Sequence, residues 1–231
     1  MLRKKMNRTK PKLLSRLHPE GIPWPMSLLY NRLSTIRAFQ AHYELVARDI
    51  LEYQPEGKIL DIGTGPGWLL IKLHRLNPKL DLAGVDISPA MTAVARKNLT
   101  RAGMMEAVEI RENGPACLPY DDEVFDVVVS TGSIHHWKEP VAELNEIHRV
   151  LKFGGRAFIY DIVRDTPLEV KKEAARNFGR LRTTLLWLHA FEEPFYLVRN
   201  LEDLVGSSAL ELTETRFLGA FCRLVLIKPA G

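Results

Sequence analysis

The fold is decided by Lys58–Gly67, KILDIGTGPG, read together with Gly84–Ser88, GVDIS. The first stretch is a short apolar run that ends in Asp61 and passes into a loop carrying Gly63, Gly65 and Gly67. The second is another apolar run, closed by Asp86, after which Ser88-Pro89 opens a helix. Two strands with a helix between them, a glycine-rich first turn and an acid ending the second strand make half of a nucleotide-binding crevice. Glycines let the backbone bend tightly and lie against a ligand with no Cβ in the way. The turn feeds a helix start at about Pro66–Leu69, whose free N–H groups favour an anionic group. Asp86 is expected beside the first loop, where a carboxylate accepts from both ribose hydroxyls. The dinucleotide fingerprint asks for a third glycine three positions after the second. That position is Trp68, and the third glycine comes early, at Gly67.

The chain on either side supports an alternating architecture. Strands are expected at Lys58–Ile62, Leu82–Asp86, Val108–Arg111, Phe125–Ser130 and Arg156–Ile162, with a closing pair at Leu212–Leu218 and Phe221–Ile227. FDVVVS is an unbroken β-branched run of the kind found in buried parallel strands. Helices are expected at Trp68–Leu76, from Ser88 to about Arg101, at Val141–Leu151 and at Leu201–Ser208. Ser88 is a cap with Pro89 at the first helical position, and Gly103 is a stop. Strands alternating with helices, then a hairpin, argue for a three-layer α/β/α sandwich. Before it, residues 1–24 read as a basic tail and linker, and residues 25–55 as a helical cap with apolar positions every three or four residues. Residues 163–200 read as a helical lid inserted into one domain that spans residues 25–231. Trp24, Tyr30, Phe39, His42 and Tyr43 are candidate substrate contacts from the cap, although packing of the cap onto the core is the favoured account of each one.

Composition narrows the class. The 231 residues are 46% hydrophobic and 26% charged, as in a soluble globular protein. No apolar run approaches the roughly 20 residues of a membrane span, and MLRKKMNRTKPK lacks the apolar core of a secretion signal. A cytoplasmic location is the default expectation. Cys117 and Cys222 give neither metal spacing nor a disulfide framework. The net charge of +4 is concentrated in Arg3, Lys4, Lys5, Arg8, Lys10 and Lys12. A basic terminus without interleaved aromatics is a weak nucleic-acid signal, so a solvated tail is expected.

Two further stretches, FDVVVSTGSIHHW (Phe125–Trp137) and EIHRVLKFGGRAFIYD (Glu146–Asp161), complete a pattern with the first two. Together, from about Ile59 to Tyr160, they resemble class I S-adenosyl-L-methionine (AdoMet) methyltransferases of the UbiE-like, type 11 family. The family text RVLKPGG is RVLKFGG here, with Phe153 in place of proline, and the usual LHH is IHH. The resemblance implies a Rossmann-like, mostly parallel seven-stranded sheet with a terminal antiparallel hairpin. It implies AdoMet as methyl donor, S-adenosyl-L-homocysteine (AdoHcy) as product, and no metal. It assigns Gly63, Thr64, Gly65 and Gly67 to the loop under the methionine end, and Asp61 to its ammonium through water. Asp86 takes the ribose hydroxyls, Ile87 packs on the adenine face, and Ser130 and Thr131 line the path of the methyl. The family acid that accepts from the adenine amine falls at Gly114 here, which leaves that contact to Asn113 or to backbone carbonyl.

Methyl transfer from a sulfonium requires mainly alignment, and a base only when the nucleophile arrives protonated. His135 and His136 are the candidates for that base, with His136 favoured because a base of the related phosphoethanolamine methyltransferases falls there. The alternative for both is a structural or substrate-orienting role. Trp24, Trp137 and Trp187 offer faces for a cation, though core packing is the expectation for each. His135, His136 and Glu139 lack zinc spacing. STGS after the fourth strand is not the Asn/Asp-Pro-Pro-Tyr of amino-methylating families, so a small-molecule O-, N-, S- or C-acceptor is expected. RNA methylation guided by the basic tail, a catalytically silent AdoMet-binding protein and a nicotinamide dehydrogenase are the competing readings. The last lacks the Tyr-x-x-x-Lys pair of the short-chain class.

Overall fold

The computed structural model describes residues 31–32, 35, 37–179 and 195–230. The basic tail, Trp24, Tyr30, Trp187 and the middle of the expected lid lie outside the described residues. The elements run α1 (Arg37–Tyr53), β1 (Lys58–Ile62), α2 (Trp68–Leu76), β2 (Asp81–Asp86), α3 (Pro89–Ala102), β3 (Val108–Glu112), β4 (Phe125–Thr131), a 3₁₀ turn (Ile134–His136), α4 (Pro140–Val150), β5 (Leu151–Asp161), α5 (Leu168–Phe178), α6 (Val198–Val205), β6 (Glu211–Leu218) and β7 (Phe221–Ile227). The strands form a seven-stranded sheet in the order β3-β2-β1-β4-β5-β7-β6. β1 to β5 pair in parallel, while β7 lies antiparallel between β5 and β6. The strand order reverses between β1 and β4, and ligands of open α/β sheets bind at such a reversal, outside the carboxyl ends of the strands.

Alternation along the strands makes two cores. Ile59, Val127, Val129, Phe158 and Tyr160 pack against Val46, Ala47 and Ile50 of α1, Leu69, Leu70, Ile71 and Leu73 of α2, and Ala95 and Leu99 of α3. Leu60, Ile62, Val128, Ala157 and Ile159 point the other way, onto Leu144, Ile147 and Val150 of α4 and Leu201, Leu204 and Val205 of α6. Pleat period two sorts neighbours in sequence to opposite faces. Local signals set the helix ends. Ser88 Oγ accepts from the Met91 N–H at 3.3 Å, with Pro89 at the first helical position, and Gly103 ends α3 at φ 71°.

One expected boundary is corrected. The fifth strand, expected from Arg156 after a turn at Gly154-Gly155, already begins at Leu151 and runs through both glycines. The β4–β5 register shifts between Phe125 and Val127 to absorb them. At Gly155 a Cβ would meet the Lys152 carbonyl oxygen at 2.8 Å and the Asp126 carbonyl oxygen at 3.1 Å, so this irregular strand needs a glycine. Phe153, the replacement for the family proline, is 54% exposed, and Lys228 Nζ lies 4.5 Å from its ring centroid. Glu146 and Arg149 of the same motif clamp the β3–β4 connection. Arg149 donates to the Tyr120 carbonyl at 2.8 Å, the Leu118 carbonyl at 3.1 Å and Asp122 at 2.7 Å, while Glu146 accepts from the Leu118 N–H at 2.9 Å.

The described part of the expected cap is fixed by a buried charge network. Arg223, fully buried on β7, donates through Nη1 to Asp49 Oδ1 at 2.8 Å and Oδ2 at 3.0 Å. The Tyr160 hydroxyl donates to the same carboxylate at 2.6 Å, and Arg216 also bonds it. Arg223 Nη2 pairs with Glu214 at 2.6 Å, and the Tyr53 hydroxyl donates to Glu214 at 2.6 Å. α1 is thereby tied to β5, β6 and β7. Removing one partner of a buried pair leaves the other uncompensated. Asp49→Ala is expected to lower unfolding stability by about 3 kcal/mol or more, read as a fall in the urea midpoint. A change within about 0.5 kcal/mol, the range of a neutral surface substitution, would contradict the network's role.

Candidate functional site

β1, β2 and β4 end at a common level because their registers align. Asp61 pairs with Gly84 on one side and Val129 on the other, and Ile62 pairs with Val85 and Ser130. The chain then leaves β1 through Gly63, whose N–H donates to the Val85 carbonyl at 2.9 Å, as does that of Thr64 at 3.0 Å. Gly63 sits at φ 73°, with Gly65 and Gly67 also in the left-handed region. A Cβ on Gly63 would stand 2.5 Å from Ser133 Oγ. The missing side chain thus lets the turn after β4 settle directly on the loop. Ser133 Oγ in turn accepts from Trp137 Nε1 at 3.1 Å.

Asp86 closes the other side. Its Oδ2 accepts from the Gly65 N–H at 2.8 Å and its Oδ1 from the Ser88 N–H at 2.9 Å. One carboxylate therefore joins the loop after β1 to the start of α3. Burial raises its pKa above the ordinary carboxylate value, and the two backbone donors oppose that rise. Asp61 is buried more deeply, and its pKa is pushed up to about 7. Burial is the main cause; the Thr64 hydroxyl opposes it and the charge of Asp86 adds to it. Such a carboxyl is poised to meet a cation, which would restore its charge.

Other residues singled out in the sequence gather on the same edge. Ile87 is 39% exposed, and a Cβ on Gly114 would lie 3.1 Å from its Cδ1. The pair forms an open apolar ledge beside Asn113, whose Oδ1 accepts from the Gly114 N–H at 2.8 Å. Ser130 Oγ and Thr131 Oγ1 are buried with no hydrogen-bond partner among the described residues. A ledge for a flat base, orphaned hydroxyls and a buried acid lacking a cation fit the chemistry of a sulfonium nucleoside. Trp137 is core, 6% exposed. Tyr43 also packs against the core, whereas Phe39 of α1 is 37% exposed.

The two histidines differ. His135 is buried, and its Nδ1 lies 2.8 and 3.0 Å from the two oxygens of Asp161, the last residue of β5. Its ring lies against His136, with centroids 3.9 Å apart, and Phe195, at 4.1 Å. His136 is exposed. Asp161, Ser133 and Phe195 carry no assignment from the sequence; the one signal for Asp161 is its place as the acid that ends the strand next to β4. No three described His, Cys, Asp or Glu residues are grouped to hold a metal, and no described helix is long and apolar enough to cross a membrane. An open cleft of about 570 Å³ is lined by Lys58 at the start of β1, Glu109 and Arg111 of β3, and Tyr120 of the β3–β4 connection.

The family model described as a methyltransferase domain, type 11, matches residues 60–159, from β1 through β5. The match takes in 100 of the 231 residues, a little under half of the chain. The demethylmenaquinone methyltransferase of Chlorobaculum tepidum is 36% identical over 115 residues, which are 50% of this chain and 45% of that protein. The demethylmenaquinone methyltransferase of Thermus thermophilus is 30% identical over 135 residues, covering 57% of this chain and 60% of that one. The chain spans about half the length of the curated relatives it matches. A SAM-dependent methyltransferase from Aquifex aeolicus has the same fold, with a TM-score of 0.67 at 18% identity over 87% of this chain and 97% of that one.

The raised pKa of Asp61 gives a signed pH dependence. Between about pH 4 and pH 7 the unfolded carboxyl has lost its proton while the folded one keeps it, so this group makes stability fall as pH rises through that window. A ligand ammonium favours the charged form, so binding below pH 7 must release a proton and weaken as pH falls. Calorimetric titration with AdoMet at pH 6, in two buffers of different ionisation enthalpy, is expected to register proton release for wild type and none for Asp61→Asn. Equal release by both would remove Asp61 from the binding account.

Proposed function

We propose that the protein is an AdoMet-dependent methyltransferase acting on a small molecule, and that the acceptor is a hydroxylated quinol-type ring methylated at carbon. The observation that carries the first part is the convergence of the Gly63–Gly67 loop, Asp61, Asp86, Ile87 and the orphaned Ser130 and Thr131 hydroxyls on one sheet edge. The second part is supported by the names of the relatives, which specify demethylmenaquinone.

In this reading Asp61 faces the methionine ammonium, the backbone of Gly63, Thr64, Gly65 and Gly67 lies under the methionine end, and Asp86 takes the ribose hydroxyls. Ile87 covers one adenine face, with Asn113 and Gly114 at the rim. Ser130 and Thr131 line the way to the methyl. AdoMet supplies an electrophilic methyl with a good leaving group. The chain's own task is to hold the acceptor atom in line, about 3 Å away, and to exclude water. A phenolic acceptor arrives protonated at neutral pH, since such hydroxyls titrate near ~10. It therefore needs a base, and His135 and His136 stand on the turn that packs against the loop.

The test is AdoHcy release from AdoMet and 1,4-naphthoquinol held reduced, with the product one CH₂ heavier and its methyl on ring carbon. Release without a carbon-bound methyl, or release only with amines, would overturn the quinol assignment. Absence of AdoMet binding would overturn the whole reading. Asp86→Ala is expected to weaken AdoMet roughly 100-fold or more, since hydrogen bonds to a charged group contribute about 1.5–3 kcal/mol each. Calorimetry at wild-type affinity on a folded variant would count against that role.

A further inference from the structure

We propose that Asp161 is a positioning residue that fixes the ring of His135 so that its Nε2 takes the proton of the acceptor hydroxyl; this rests on the quinol reading above.

The carboxylate of Asp161 is surrounded by donors. Its Oδ1 accepts from the Ile162 N–H at 2.7 Å, its Oδ2 from the His135 N–H at 3.3 Å, and both oxygens face His135 Nδ1. An unprotonated Nδ1 there would oppose lone pair to lone pair. Nδ1 therefore carries the hydrogen, and in the neutral ring the lone pair is on Nε2. Nε2 receives no hydrogen bond from any described residue. Two backbone bonds hold the carboxylate, and Phe195 and His136 flank the ring, so the direction of Nε2 is set before any ligand arrives. The ring stands two residues from Ser133, which rests on Gly63 of the loop. The base is thereby built into the same contact that seats the cofactor loop.

The other groups near the dyad leave it to do this work. His136 faces the ring from the same turn and Phe195 from the segment before α6. Cys222 of β7 pairs with Asp161, and its thiol is pushed up to about 12, chiefly by burial and then by Asp165, Glu202 and Asp161. It stays a neutral thiol around neutral pH. In the step, the acceptor O–H bond breaks, an N–H bond forms at Nε2, and the electron pair left on oxygen flows into the ring to make its ortho carbon nucleophilic. That carbon gains the methyl as the methyl–sulfur pair stays with sulfur. Loss of the ring proton from the same carbon to solvent restores the aromatic ring as an oxyanion, which takes back the proton held at Nε2, so the hydroquinol re-forms and one proton is released overall. A free amine needs no such base, so the dyad favours an acidic O–H acceptor.

The test compares full-length wild type, Asp161→Asn and His135→Gln, using AdoMet with 1,4-naphthoquinol across pH and AdoHcy titration for binding. Asp161→Asn is expected to lower kcat roughly 10- to 1000-fold with AdoHcy affinity unchanged. Its acid limb should move to lower pH, because the charge that stabilises the imidazolium is gone. His135→Gln is expected to lose that limb. An unmoved limb in Asp161→Asn, with wild type active, overturns the proposal and leaves the methyltransferase reading intact. Wild type that binds AdoHcy but never methylates the quinol overturns both the quinol assignment and this role. A ligand-free ¹⁵N-histidine spectrum of wild type, with His135 assigned by difference from His135→Gln, needs no turnover and no Asp161 variant. It should show the Nδ1-protonated neutral tautomer; the Nε2-protonated form overturns the proposal.

Discussion

The site depends on one carboxylate. Asp86 accepts from Gly65 with one oxygen and from Ser88 with the other, and so joins the turn after β1 to the helix after β2. The other bonds on this loop are those to the Val85 carbonyl, its own short turn, and Asn98 Nδ2 donating to the Pro66 carbonyl at 2.9 Å; none of them reaches Gly65. With Asp86, the loop is shaped before a ligand arrives, and ordering that is already present in the free protein does not subtract from affinity. The same residue stands at the end of β2 next to the Ile87 ledge, so a scaffold bond and a recognition surface are adjacent in the chain.

The pleat distributes the remaining work. Asp61 lies on the face of β1 that α1 to α3 cover, while Asp161 and Ser130 share the face covered by α4 and α6. Both acids stand near strand ends at the same edge, yet they meet different surroundings. Asp61 is held by burial near its protonation midpoint at neutrality. Asp161 is fully engaged by donors. On the first face, Asp49 and Arg223 bind α1 to the antiparallel end of the sheet, so the covering helix is anchored by ionic contacts as well as by packing.

The parallel half of the sheet was legible because β1, β2 and β4 are apolar runs that stop at a glycine or an acid, and because α3 carries its own cap at Ser88 and stop at Gly103. α2 and β1 match their expected spans, and the others shift by few residues. β5 was not legible at its start, since Gly154-Gly155 reads as a turn whereas the register shift opposite Phe125 absorbs it. The site's loop residues were legible from spacing. The His135–Asp161 pair was not, because only the β4–β5 pairing brings residues 26 apart into contact. The Asp49–Arg223 pair, 174 residues apart, left one faint trace: an arginine inside the apolar strand FCRLVLI.

The central claim is that a sulfonium nucleoside is gripped at the carboxyl ends of β1, β2 and β4. The most direct measurement is a map of amide chemical-shift changes in ¹⁵N-labelled protein on titration with AdoHcy. The account predicts the largest changes at Gly63–Gly67, Asp86–Ser88, Asn113–Gly114 and Ser130–Thr131. Changes centred instead on Lys58, Glu109 and Tyr120, which line the open cleft beside β3, or no changes at saturating ligand, would contradict it.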